Sequence, residues 1–246
     1  MIRIWSYRRL AILAVTAYAV ALSIMICNVS VYLAPWSEIL SRFGDGNTPV
    51  YVDVRSREDL RKIRDVTGDV AALMLYQCTD DDLASLSGEG NVTHVQITSD
   101  SVTNDGLKHL RNLPRLESVT LSGSKISRDG LKHFGNLPTF KSMGLSGPNI
   151  RTEDLEALIE CRELTSIGIF GFKITDKVLD IVARIPKLRG MDFDERDLSV
   201  APSRIVERIP NLKRLTIFSK VSYVGPYRKE ISALTENDRL EIMIIN

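Results

Sequence analysis

LPRLESVTLSGSKISRDGLKHFGN (113–136) runs without a gap into LPTFKSMGLSGPNIRTEDLEALIE (137–160), CRELTSIGIFGFKITDKVLDIVAR (161–184) and IPKLRGMDFDERDLSVAPSRIVER (185–208). Set beneath one another, the segments share a period of 24 residues: Leu116, Phe140, Leu164, Leu188 and Leu212 form one apolar column, and Leu121, Leu145, Ile169, Phe193 and Ile217 another. Upstream, Val92, Val95, Ile97, Val102, Leu107 and Leu110 match Leu116, Val119, Leu121, Ile126, Leu131 and Phe134 at the same offset. Fainter copies precede these at Val70, Leu73, Leu75, Leu83 and Leu86, and before them at Val50, Val52, Leu60 and Ile63. A fixed period of this kind marks one supersecondary unit that cannot bury its apolar face alone and must stack on its neighbours.

Each unit reads as a short strand followed by a turn and a helix. In LESVTL, Leu116, Val119 and Leu121 point inward, while Ser118 and Thr120 face out of the strand. Ser127 or Asp129 is placed to cap the helix, and Leu131 and Phe134 turn to the core at i, i+3 spacing. Strands stack about 4.8 Å apart and helices about 8–10 Å apart, so the stack is expected to curve with its sheet on the concave side.

The pattern resembles the leucine-rich repeat, L-x-x-L-x-L followed by a turn and a helix. Its turn features, Val102-Thr103-Asn104-Asp105-Gly106-Leu107, Ile126-Ser127-Arg128-Asp129-Gly130-Leu131 and Ile174-Thr175-Asp176, look like the bacterial variety related to the cysteine-containing repeats of F-box proteins. The resemblance implies an α/β solenoid, a right-handed horseshoe arc with a parallel concave sheet and convex helices. It covers residues 66–246 with a degraded start near 48, and it says little about function. The family's usual Asn or Cys in the ascending loop is replaced by Asp100, Ser124, Pro148, Phe172 and Arg196, which removes the expected side-chain ladder between turns. Regular repeats span 89–208, and irregular terminal ones span 49–88 and 209–246 of a domain covering 49–246.

Ahead of the repeats, Leu10 to Ala34 contains no charged residue and is long enough to span a bilayer, which takes roughly 20 apolar residues. Trp5 and Tyr7 precede it, and Tyr32 and Trp36 follow it, as interfacial aromatics do. Arg3, Arg8 and Arg9 lie on its N-terminal side, so the positive-inside rule places residues 1–9 in the cytoplasm. The expected organisation is a signal-anchor helix at 10–34, a juxtamembrane linker at 35–48 and an extracytoplasmic repeat domain on a single-pass cell-membrane protein. The rival is a cleaved signal peptide. Against it, the run exceeds the usual apolar core of about 7–15 residues and has no convincing A-x-A cleavage site, since a cut after Ala34 would leave Pro35 first and bulky Tyr32 at the third position upstream. The sequons Asn28-Val29-Ser30 and Asn91-Val92-Thr93 leave glycosylation open.

Composition excludes several functions. Beyond residue 9 the body of the 246-residue chain carries a net charge of −2, without the concentrated basic surface that nucleic acid requires. Cys27, Cys78 and Cys161 have neither zinc-ligand nor disulfide-framework spacing. His94, His109 and His133 do not converge, and no Ser-His-Asp, HExxH, P-loop or GxGxxG pattern stands in a suitable context. No catalytic residue, metal ligand or cofactor is assigned, and the expected role is non-enzymatic.

The outward strand positions form three rows. The first runs Ala72, His94, Ser118, Ser142, Ser166, Gly190, Arg214 and Ile242; the second runs Met74, Gln96, Thr120, Gly144, Gly168, Asp192, Thr216 and Ile244. The third runs Tyr76, Thr98, Ser122, Ser146, Phe170, Asp194, Phe218 and Asn246. Small residues in the middle leave room for a partner. Phe170, Asp194 and Phe218 fall side by side, as in a binding hot spot, unless loops fold over the rings. Asp192 and Asp194 share a face of one strand but have no third ligand, which leaves Arg214 as their expected neighbour. Partner binding is therefore placed at Phe170, Asp192, Asp194, Arg214 and Phe218.

Regularity decays after residue 194, and SKVSYVGPYRKEISAL expands the next copy, with Tyr223 and Tyr227 flanking Gly225-Pro226. In the last strand, LEIMIIN, Met243 and Ile245 are expected inward and Ile242 and Ile244 outward. An apolar edge without Pro or Lys is a template for pairing, so this edge is expected to meet a second copy or a partner. Three roles follow: a membrane-anchored module binding a protein or cell-envelope ligand through the concave sheet, a structural module self-associating through the Ile242/Ile244 edge, or an adaptor like the F-box repeat proteins.

Overall fold

The computed structural model describes residues 50–55, 59–60, 70–90, 92–123, 125–147, 150–218, 227–235 and 240–245. The chain divides into two units, Met1–Ala34 and Pro35–Asn246, and every described residue belongs to the second. The proposed spanning segment 10–34, the linker 35–48 and the loop 219–226 lie outside the described residues. Among the described residues no helix is long and apolar enough to cross a membrane.

Nine strands form one sheet in chain order: β1 (Val50–Val54), β2 (Val70–Tyr76), β3 (His94–Thr98), β4 (Ser118–Ser122), β5 (Ser142–Ser146), β6 (Ser166–Phe170), β7 (Gly190–Asp194), β8 (Arg214–Phe218) and β9 (Glu241–Ile245). Every neighbouring pair is parallel. The crossovers include helices α1 (Asp80–Ser85), α2 (Asn104–Leu110), α3 (Arg128–Leu131), α4 (Asp176–Val182), α5 (Pro202–Arg208) and α6 (Arg228–Thr235), with a nine-residue 3-10 turn, Thr152–Glu160, between β5 and β6. This is the α/β solenoid with one parallel sheet that the resemblance implies. Leu116, Val119, Leu121, Ile126, Leu131 and Phe134 are all at most 3% exposed, and their counterparts in the neighbouring repeats join them in one continuous core between sheet and helices. Phe134 also stacks on Phe140 of the next repeat, ring centroids 5.0 Å apart.

The repeats are stitched where the helices begin. Asp80, the first residue of α1, accepts from the Thr103 N–H (2.8 Å) and the Thr103 hydroxyl (2.6 Å) at the start of α2. Asn104, one repeat on, accepts from the Ser127 N–H (3.0 Å) and donates to the Ser127 hydroxyl (2.8 Å). Each reaching side chain passes over a glycine: a Cβ on Gly106 would lie 2.2 Å from Asp80 Oδ1, and one on Gly130 would lie 2.4 Å from Asn104 Oδ1. The recurring Asp-Gly-Leu of the sequence is thus a packing requirement. In the next unit the first helical residue is Arg128, which makes no such reach, and the glycine column holds Asp154 instead. Asp154 reaches back, accepting from the N–H of Arg128 (3.0 Å) and of Arg151 (2.9 Å). This ladder satisfies orphan helix N-terminal donors.

β9 departs from the expected register. Glu241 pairs with Arg214, Ile242 with Leu215 and Ile244 with Ile217, a shift of one residue that places Ile242 and Ile244 in the core-facing rows and Met243 and Ile245 in the outward ones. A one-residue slip reverses every side chain, and the expanded segment before β9 breaks the count that would have fixed it. Ile244 is 43% exposed, the one large exposed hydrophobic among the described residues.

Candidate functional site

The face of the sheet away from the helices follows the expected rows through β2–β8. Ser118, Ser142 and Ser166 stand side by side, as do Thr120, Gly144, Gly168 and Asp192. The room over the glycines is taken by the protein itself, contrary to the expectation that it waits for a partner. A Cβ on Gly144 would meet Thr120 Oγ1 at 2.8 Å, one on Gly168 would meet the Phe170 ring at 2.9 Å, and one on Gly190 would meet the Arg214 guanidinium at 3.1 Å.

Phe170 and Phe218 do not form an exposed hot spot. They are 2% and 6% exposed and pack edge to face, centroids 5.5 Å apart, on the side of the sheet opposite the core. Alternation along a strand fixes which side a ring takes, but not that the two rings pack on each other. Asp194 is also withdrawn. It ends β7, caps the short 3-10 turn Glu195–Asp197 by accepting from the Arg196 N–H (2.9 Å), and takes Nε and Nη2 of the same Arg196 at 2.8 and 2.6 Å. The two aspartates of β7 therefore do not act as a pair.

Asp192 and Arg214 do meet. Arg214 lies across Gly190, donates from Nη2 to Ser166 Oγ two strands away (2.9 Å), and places the same nitrogen 3.6 Å from Asp192 Oδ2. Both side chains keep about a quarter of their surface in solvent, 28% for Arg214 and 22% for Asp192. Burial pushes the Asp192 carboxyl above the usual carboxylate range, and the Arg214 charge with hydrogen bonds from Thr216 and Ser166 only partly opposes that.

At the other end, Arg55 stands over the Tyr76 ring, 5.6 Å from its centroid, and 3.7 Å from Asp53, whose carboxyl burial also pushes up. Sequence reading missed this cluster, because Asp53 and Arg55 belong to the faintest repeat copy. Four buried side-chain polar atoms among the described residues have no hydrogen-bond partner: Asp53 Oδ1, Thr98 Oγ1, Asp192 Oδ1 and Arg214 Nε. All four belong to the open face. Polar atoms withdrawn from water are nearly always paired in folded proteins, so their concentration on one surface singles that surface out.

Among the described residues no group of three or more His, Cys, Asp and Glu could hold a metal ion. Cys78 and Cys161 are buried free thiols, pushed by burial up to about 11 and about 12, which makes them inert packing residues at neutral pH. His133 lies on the helix side, where burial first and then Arg111 and Lys108 lower its basicity.

No protein-family model matches the chain, and no curated protein matches it. Solved structures do: an internalin (inlF) from Listeria monocytogenes at 16% identity, TM-score 0.41, over 79% of this chain and 64% of that one; human 5T4, a trophoblast glycoprotein also titled Wnt-activated inhibitory factor 1, at 16%, TM-score 0.42, over 82% of each; and TLR13 in its complex with ssRNA13 at 16%, TM-score 0.36, over 72% of this chain and 36% of that one. The chain thus spans less than two thirds of the internalin. Similarity at this level carries no information about what the chain binds.

Proposed function

We propose that this chain is a non-enzymatic binding protein that takes a protein partner on the open face of its sheet, held at the cell membrane by the apolar segment 10–34 with the repeats outside the cytoplasm. One observation carries the binding reading: every unpartnered buried polar atom among the described residues lies on that face. Leaving such an atom unpaired costs about 1–3 kcal/mol, and the retention of that cost on one face supports that face as the one put to use. The apolar run, its aromatic flanks and the three preceding arginines support the anchor.

The test is photo-crosslinking of the full chain in its native membrane, with a photoreactive residue at Thr120 or Ser142 on the open face, or at Lys108 or Lys132 on the helix side. The binding reading expects one recurrent protein linked from the open-face positions only. Links from the helix side alone, or none from either, would sink it. A second reading, self-association through β9, is favoured by the exposure of Ile244. It expects copy-to-copy links from a probe at Ile244 and their loss in Ile244→Lys.

A further inference from the structure

We propose that Arg189 and Lys213 form a seat for one carboxylate side chain of a different protein, at the rim of the open face where β7 and β8 begin. This rests on the reading of the open face as the binding surface and names the chemical group of the partner that docks at its rim.

From β4 to β8 the residue just before each strand forms a column along this rim: Glu117, Lys141, Thr165, Arg189 and Lys213. Its first two members close on each other, with Lys141 Nζ 3.0 Å from a Glu117 carboxylate oxygen. Two residues earlier in the repeat, Lys187 pairs with Glu163 at 2.7 Å. On the helix side Arg204 pairs with Asp176 at 3.0 Å. At these places adjoining repeats neutralise each other's surface charge. The last two places of the rim column invert the pattern. The Lys213 N–H donates to the Arg189 carbonyl (2.7 Å), so two cations stand on adjacent strands, both exposed and neither with an acid partner among the described residues. Neighbouring strands lie about 4.8 Å apart, inside the screening length of about 8 Å at physiological salt. Like charges so placed are destabilising, and an anion seated between them removes the repulsion.

The charge around the seat selects the anion. Arg189 adjoins Gly190, over which the Arg214 guanidinium lies, and Lys213 adjoins Arg214 itself. Arg214 keeps 28% of its side chain in solvent, and its Nη1 is neither hydrogen-bonded nor closed off from water. Two carboxylates stand against these three cations: Asp192 beside Arg214, and exposed Glu241, which faces Arg214 from β9. With both ionised, three cations less two acids leave a charge of +1, which one carboxylate neutralises. A polyanion needs a concentrated basic surface. A membrane-binding face joins its cations to exposed apolar side chains, and Ile244, the one large exposed hydrophobic among the described residues, stands in a core-facing row and not on this rim. A single Asp or Glu side chain presented by a protein fits the count.

The full chain in its native membrane is treated with a water-soluble carbodiimide, which joins a carboxylate to a lysine amine only where the two already touch, and the linked peptides are read by mass spectrometry. Lys213 should be joined to one recurrent Asp or Glu of another protein, and Lys125, an exposed lysine beyond the end of β4, should not. Arg189→Gln should lower the Lys213 link about two- to fivefold. Lys213→Glu recreates the arrangement of Glu117 and Lys141, so it should raise the thermal midpoint by about 1–3 °C while the yield of partner photo-crosslinked from Ser142 falls about fivefold or more. Lys213→Arg, which keeps the charge, should retain that yield. Lys213 left unlinked, including when a lipid surface shields it from acetylation, overturns the proposal. So do links only to this chain's own acids, within a copy or between copies, and a photo-crosslink yield that Lys213→Glu leaves unchanged. A partner photo-crosslinked from the open face with Lys213 unlinked removes this inference and leaves the binding reading standing. A Lys213 link to another protein with no photo-crosslink from Thr120 or Ser142 does the reverse.

Discussion

Asp154 and Asp192 are both drawn out of water by the repeat stack, on opposite sides of the sheet, and they end in opposite states. Asp154, 2% exposed at the start of the 3-10 turn, accepts two backbone N–H bonds and touches the Arg151 side chain. Burial raises its pKa, but the Arg151 and Arg128 hydrogen bonds more than offset that and hold it below the usual carboxylate range. Asp192 on the open face has one cation at 3.6 Å and one oxygen with no partner, and its pKa is raised. Among the described residues the helix side has no buried side-chain polar atom without a partner, whereas the open face holds four, and that asymmetry is what the proposed partner face rests on.

Phe170→Ala should have the largest effect, because the ring is buried and shared with Phe218. A loss of about 3–5 kcal/mol in urea unfolding is expected. If stability held while crosslinking from Thr120 failed, the ring would belong to the incomplete surface after all. Asp154→Ala strands the N–H groups of Arg128 and Arg151 and should cost about 2–4 kcal/mol at neutral pH. Because the folded pKa of Asp154 is lowered, its contribution is present above the unfolded value and is lost as pH falls through the folded one, so the variant and the parent should converge in acid. Gly106→Ala would gain about 1 kcal/mol of helix propensity. It would also push Asp80 off Thr103, for a net loss of about 1–2 kcal/mol, whereas the pair Gly106→Ala with Asp80→Ala should lose the clash and show coupling in a double-mutant cycle. Asp192→Asn should have the smallest effect and the opposite sign. The folded pKa of Asp192 is raised, so its ionisation costs stability above that pKa and the cost vanishes as pH falls. The variant should be more stable than the parent near neutrality and indistinguishable from it in acid.

The fold was almost wholly legible in the sequence, because stacking forces every repeat to use the same columns. Leu116 through Leu212 predicted strand placement, and the outward rows hold from β2 to β8 except in the third row, where the β6–β7 register ends at Ile169 and Phe193. Legibility ended where counting did: without a regular unit between Phe218 and Leu240, the β9 register slipped by one, with Ile242 and Ile244 changing sides. The site was half legible. Alternation put Phe170, Asp192, Asp194, Arg214 and Phe218 on one face and made Arg214 the neighbour of Asp192. It could not show that Phe170 and Phe218 close on each other or that Arg196, two residues along, claims Asp194. The Asp-Glu-Arg-Asp run after β7 was a signal for the latter, since an aspartate at a strand end readily caps a turn. The helix-start ladder was also present in the columns. Asp80 and Asn104 precede units with Gly106 and Gly130, whereas Arg128 precedes the unit with Asp154, a relation visible only when adjacent repeats are read as pairs.

The central claim, that the Asp192–Arg214 pair serves an incomplete surface and does not serve folding, is tested most directly by the thermal midpoint of the full chain carrying Asp192→Leu and Arg214→Met together. Replacing a part-buried ion pair by apolar side chains of similar volume is often neutral or stabilising, so a midpoint unchanged or raised by about 2–4 °C is predicted. A midpoint lowered by several degrees would mean that the pair holds the sheet together, and would contradict the account.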